Sequence, residues 1–189
     1  MYQHLRNLFN FFMEGGTDQS MCPTEREEYK FYETSNYTKC FAFFKDSEMT
    51  WSDAQKQCQN AALPKTGGEL ASVPDKATND FLETALIEYG IKKILWTGGM
   101  MNESKNAWMW SGEMSPLNFS NWDPHDLDFS FVDTTKTPSV NLKKEKIGFG
   151  VDGKWRSLPS VYNHPFICQW TFKGIFMYKN FYQKGQYFH

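Results

Sequence analysis

Three tryptophan-bearing segments stand in order between two cysteines of this chain, and no other feature limits its fold as much. After Cys58 come Trp96-Thr97-Gly98-Gly99, then Asn121-Trp122, then Gly153-Lys154-Trp155, and Cys168 closes the series. Aromatic residues make up 17% of the sequence, with seventeen Phe, nine Tyr and seven Trp. Side chains of that size either fill a core or form binding surface, and Trp96, Trp110 and Trp155 are assigned to the core. A chain of 189 residues buries a core of ordinary size, so one domain with appendages fits it better than two domains.

The four cysteines, Cys22, Cys40, Cys58 and Cys168, form no C-x-x-C pair and have no histidines at zinc spacing. They read as disulfides rather than a structural metal site, and counting alone leaves three pairings open. Disulfides place the chain in an oxidising compartment, secreted or extracellular. Three glycosylation acceptor patterns point the same way, at Asn36, Asn102 and Asn118. The N-terminus shows no signal peptide: Leu5, Leu8, Phe9 and Phe12 are interrupted by Arg6, Asn7 and Asn10. At helical spacing these four apolar residues read as a docking stripe.

A formal charge of −2 gives no electrostatic case for nucleic acid, whose binding needs clustered cations against phosphates. The basic run Lys143-Lys144-Glu145-Lys146 reads as a solvated loop. No stretch of about 18 apolar residues is present to cross a bilayer. The serine-hydrolase, zincin and P-loop patterns are missing and the four histidines are scattered, so nothing points to an enzyme.

Residues 1–21 read as an appendage, 22–170 as the domain and 171–189 as a tail. Tyr37–Phe44 alternates as a strand. Thr50 or Ser52 caps a helix that carries Trp51, Ala54, Gln55 and Cys58. A second helix opens at Pro74-Asp75, carries the stripe Phe81, Leu82, Ala85, Leu86 and Tyr89, and stops at Gly90. Strands follow at Ile94–Thr97, Trp108–Trp110, Ile147–Val151 and Pro165–Trp170, with a turn at Asp152-Gly153. Between Pro116 and about Val140 lies a long loop without periodicity, the kind that is functional when it occurs in a compact domain. Two helices packed on short antiparallel sheets with one long loop make an α+β domain.

The ordered segments from Cys58 to Cys168, with Pro124 after Asn121-Trp122 and with Phe166-Ile167-Cys168, resemble the C-type lectin domain family over residues 22–170. The resemblance implies a C-type lectin-like fold and the pairings Cys58–Cys168 and Cys22–Cys40. By chain entropy these closures are worth about 4 to 5 and about 3 kcal/mol. In the family's central strand Gly99 replaces a usual aliphatic residue. A second internal disulfide, expected near Ile147 and Ser160, has no cysteines here, and Gln169 stands where calcium-stabilised members commonly carry Glu.

Members that bind sugar through calcium carry Glu-Pro-Asn or Gln-Pro-Asp after the Asn-Trp step and Asn-Asp after the later Trp. Here the corresponding residues are Asp126-Leu127-Asp128 and Arg156-Ser157. Calcium takes six to eight oxygen ligands, and a guanidinium removes one while adding repulsion. Asp123, Asp126, Asp128 and Asp133, with His125, therefore read as a solvated acidic loop without a resident metal. Asp126 and Asp128 are the residues that would hold calcium in the alternative reading, a calcium-dependent carbohydrate-binding lectin.

The sequence reading is thus an extracellular, non-catalytic recognition module binding a glycan or protein without calcium. Its contacts come from the long loop and nearby aromatics, among them Trp108, Trp122 and Phe129, with Trp110 also a candidate but assigned above to the core. Asp126, Asp128, Phe129 and Phe131 are the candidate ligand residues, the two phenylalanines as exposed apolar contacts in a polar loop. A structural or oligomerisation role would instead use the terminal segments.

Overall fold

A computed structural model of the chain describes Cys22 and residues 29–33, 37–61, 67–126 and 143–173. In chain order the elements are β1 (Tyr29–Glu33), β2 (Tyr37–Met49), α1 (Trp51–Asn60), β3 (Glu69–Leu70), α2 (Lys76–Glu88), β4 (Leu95–Asn102), β5 (Ala107–Trp110), β6 (Ser115–Pro116), β7 (Lys144–Phe149), β8 (Trp155–Pro159) and β9 (His164–Lys173).

Each helix begins at a side-chain cap. The Thr50 hydroxyl accepts the Asp53 N–H at 3.3 Å, and the Asp75 carboxylate accepts the Thr78 N–H at 2.7 Å, so each helix has one otherwise orphan donor satisfied. Helix α1 turns Trp51, Ala54 and Cys58 inward. Helix α2 buries Leu82, Ala85 and Leu86, with Phe81 and Tyr89 at the edge of the stripe, and ends where Gly90 adopts φ +63°. Burying Leu82 and Leu86 contributes about 1.5 to 3 kcal/mol each.

The sheet is ordered β1-β2-β9-β4-β5-β6, with β3 also on β9, β7 on β4 and β8 on β7. All pairings are antiparallel except a single parallel contact, Trp96 with Phe166, between β4 and β9. The sheet is therefore mixed, and its strands are not all short: β2 has 13 residues and β9 has 10. Their mutual ladder from Tyr37–Lys173 to Phe44–Phe166 supports that length and carries β9 past Trp170 to Lys173. The disulfides are Cys22–Cys40 and Cys58–Cys168, the pairings the family resemblance implied. One core cluster lies under α2 around Phe41, Leu86, Trp110, Ile147 and Trp155; the other surrounds the disulfides with Trp51, Leu70, Trp96 and Trp170.

Two expectations need correction. The basic run is solvated at Lys143 and Lys144 but is not a loop: β7 begins at Lys144, and Lys146 sets its ammonium over the Trp51 ring, 4.3 Å from the centroid. Val151, expected to end that strand, sits exposed in the following turn. Around the positions of the missing disulfide, other contacts are made. Ser160 donates its hydroxyl to Glu145 at 2.8 Å, while Ile147 is buried in the core. A Cβ built on Gly99 would run into the Ile147 side chain, so this isoleucine fills the space that an aliphatic residue at 99 would take.

Candidate functional site

The opening of the long loop is held against β8 by backbone pairing. Trp155 N–H donates to Asn121 O and Asp123 N–H donates to Trp155 O, each at 2.9 Å, forming a parallel bridge between Trp122 and Trp155. Trp155 is itself fixed, since it is fully buried and its indole N–H reaches Asn79 Oδ1 on α2 at 2.9 Å. Asn121 adds a side-chain tie, donating to Gly153 O and accepting from Lys154 Nζ, both at 2.8 Å. Gly153 supplies the φ of +67° that the turn into β8 needs.

The position of Asp123 brings it to Arg156. The guanidinium makes a two-pronged contact with Asp152, Nη1 to Oδ1 at 3.1 Å and Nη2 to Oδ2 at 2.8 Å, and Nη2 also lies 2.9 Å from Asp123 Oδ2. A Cβ at Gly150 would collide with this guanidinium, so glycine is what lets Arg156 lie across the turn. The hydrogen bond from Arg156 holds the Asp152 carboxyl below its ordinary value, and Asp152 in turn raises the guanidinium. Asp126 uses its two oxygens differently. Oδ2 accepts the Ser157 backbone N–H and Oδ1 faces Lys144 Nζ at 3.4 Å, which ties the loop stem to β7 and β8.

In the described part of this site each carboxylate already has a cationic neighbour. Asp123 and Asp152 share the one guanidinium of Arg156, Asp126 faces Lys144 and a backbone donor, and the guanidinium stands among the carboxylate oxygens that a cation would need. Among the described residues, no group of three or more His, Cys, Asp or Glu side chains is placed to hold a metal.

Beside this charged floor stands an aromatic wall. The Trp108 and Trp122 rings are 5.0 Å apart between centroids, both half-buried, and Trp122 and Phe119 rest on Trp155 at 5.7 and 5.6 Å. Trp110 lies beneath, buried, 5.4 Å from Trp155. The structure thus brings together Trp108, Trp122, Asp123, His125 and Asp126. Asp128, Phe129, Phe131 and Asp133 lie outside the described residues, as do Asn36 and the stripe from Leu5 to Phe12.

Sequence reasoning missed Asp152, Gly150, Lys144 and Lys154 as parts of the site. Only the Asp152–Arg156 pair had a local signal, opposite charges flanking a glycine turn. It missed a second polar cluster as well. Lys39, 2% exposed, donates to Ser72 Oγ at 3.0 Å and to Gln169 Oε1 at 3.2 Å, while Gln169 Nε2 donates to Glu69 Oε1 at 2.7 Å. Burial pushes the Lys39 amine below its usual range, against the pull of Glu113, Glu69 and Asp75.

The comparisons with known proteins bear on the family and the fold. The family described as Lectin C-type domain matches residues 47–170, more than half of the chain. Human lymphocyte antigen 75 is 28% identical over 133 residues, which is 70% of this chain and only 7% of that protein's length. Human lithostathine superposes with a TM-score of 0.59 at 24% identity, covering 81% of this chain and all of the other. A protein described as a calcium-independent type II antifreeze protein shares the fold at a TM-score of 0.51 and 23% identity, with 75% of this chain and 95% of that one covered.

Proposed function

Because this chain belongs to the C-type lectin domain family, a family of non-enzymatic recognition modules, we propose that it is an extracellular module that binds a glycan or protein ligand without calcium. The observation that carries this reading is Arg156, bonded to Asp152 at 2.8 Å and paired with Asp123 at 2.9 Å at the position where calcium-binding members place an asparagine ligand. A guanidinium there supplies the positive charge that the carboxylates need and leaves no open coordination site for a sugar's hydroxyls.

Ligand contact then falls to the Trp108–Trp122 wall and the loop that follows Asp126, with Asp128, Phe129 and Phe131 as its contact residues. Half-buried tryptophans present rigid apolar area with a polar edge, which suits both the apolar face of a sugar ring and a protein side chain. Asp126 serves this surface by holding the loop stem.

The test is a glycan array probed with labelled protein in millimolar calcium and again with excess chelator, alongside Trp108→Ala. The expected result is one set of signals, unchanged by chelator and lost or weakened in the variant. Signals that vanish with chelator would overturn the reading.

A further inference from the structure

We propose that Asn118 carries an N-linked oligosaccharide, standing at the rim of the aromatic wall. Residues 117–120 alternate about the domain surface: Leu117 and Phe119 pack inward on the core, while Asn118 and Ser120 are exposed. The inward pair is anchored. Leu117 N–H donates to Trp108 O at 3.3 Å, and the Phe119 ring meets Trp155 edge to face at 5.6 Å. Both residues that define the acceptor pattern, the Asn amide and the Ser hydroxyl, are thereby turned to solvent by a segment that cannot rotate them back. The other described pattern is arranged differently. Asn102 is half-buried, and its Oδ1 accepts from the Ser104 hydroxyl at 2.7 Å and from the Lys105 N–H at 3.1 Å, so its carboxamide shapes the hairpin turn.

The donor is an oligosaccharide on a lipid diphosphate. A bond forms between Asn118 Nδ2 and C1 of the first sugar, and the C1–O bond to the diphosphate breaks. The diphosphate leaves with the electron pair, and an amide proton passes to a base of the transferase. A polar, bulky group at this position costs the fold nothing, because no packed atom is displaced. It leaves the surface one residue from each of the contacts on Trp108 and Trp155, and so borders the proposed ligand face.

This inference rests on the extracellular placement above, and the test separates the two. The full chain, expressed in a eukaryotic host behind a cleavable secretion leader, passes through the glycosylating compartment whatever its native route. Peptide mapping after amidase treatment is expected to find residue 118 converted to Asp, with the intact protein losing mass. Asn118→Gln and Ser120→Ala should each abolish that conversion, and neither should move the melting temperature of the deglycosylated domain. Unmodified Asn118 in the secreted, disulfide-bonded protein would overturn the assignment without touching the question of native location.

Discussion

Replacing Arg156 by Ala tests whether the guanidinium is the cation of this surface. The side chain makes two hydrogen bonds to Asp152 and an ion pair to Asp123. Asp152 is 48% exposed, so its share lies near the range for surface pairs, about 0.2 to 1 kcal/mol; Asp123 is 17% exposed and its charge-assisted contact is worth about 1 kcal/mol. Truncation also leaves two carboxylates facing one another. A total loss of about 1 to 2 kcal/mol follows, which for a domain of this size lowers the melting temperature by about 2 to 8 °C. The gap between the native and variant proteins should shrink in 1 M salt, where the screening length falls to about 3 Å.

The same comparison has a pH signature. A carboxyl lowered in the folded state contributes stability above its unfolded value and loses it as pH falls through the folded one. The native-minus-variant difference should therefore begin to close below about pH 3.9 and vanish below the lowered value of Asp152. Calcium supplies the counter-test, since a ligand at 100 times its dissociation constant would add about 2.7 kcal/mol. The native protein should melt at the same temperature in millimolar calcium and in chelator. A clear calcium-dependent rise, or an Ala variant as stable as the native protein, would refute the reasoning.

Three further outcomes are expected. Gly99→Val should cost about 1 to 3 kcal/mol in denaturant unfolding by forcing itself on Ile147, and adding Ile147→Ala should recover part of that loss; additive losses would show that the two positions do not share one space. Replacing Cys58 and Cys168 by Ala opens a closure of 110 residues and should cost about 4 to 5 kcal/mol, read as a fall in the urea midpoint at unchanged activity of any binding face that remains folded. Lys39→Met should flatten the alkaline limb of the stability curve. An amine lowered on folding leaves the unfolded chain holding more protons, so native stability rises with pH up to about 10.4, and the variant should lack that rise.

Helix α2 could be read almost residue by residue, because an Asp cap, a continuous apolar stripe and a terminal glycine are all local signals. Strand β7 was harder. Its first residues alternate Lys and Glu, and the partners of its lysines, Asp126 for Lys144 and Trp51 for Lys146, arrive from distant parts of the chain. Strand β1, five residues long, is not among the expected strands and is defined by its pairing with β2. The site divides along the same line. Arg156 could be placed in it from its position after Trp155, yet the closure onto Asp123 is made by the Trp122–Trp155 bridge, a contact no spacing encodes. The Lys39–Gln169 contact spans 130 residues, and the departure at Gln169 alone gave no hint that a lysine would face it.

These two departures share one physical logic. At residue 156 and beside residue 169, both read as departures from calcium-binding relatives, a covalently attached cation sits among the oxygens: a guanidinium in one place and an ammonium in the other. Such a charge needs no calcium concentration to be present and loses no translational freedom on each occupation, so folding alone brings a cation to the oxygens. It also has fixed geometry. Arg156 directs Nη1 and Nη2 at Asp152 and Asp123, whereas a metal ion accepts new oxygens in vacant positions. In the proposed reading, stability is thereby uncoupled from calcium and the usual route to sugar hydroxyls is closed. What remains for recognition is the adjoining surface of Trp108, Trp122 and the loop, so Trp108→Ala should impair binding more than Arg156→Ala does once both are compared at equal folded fraction.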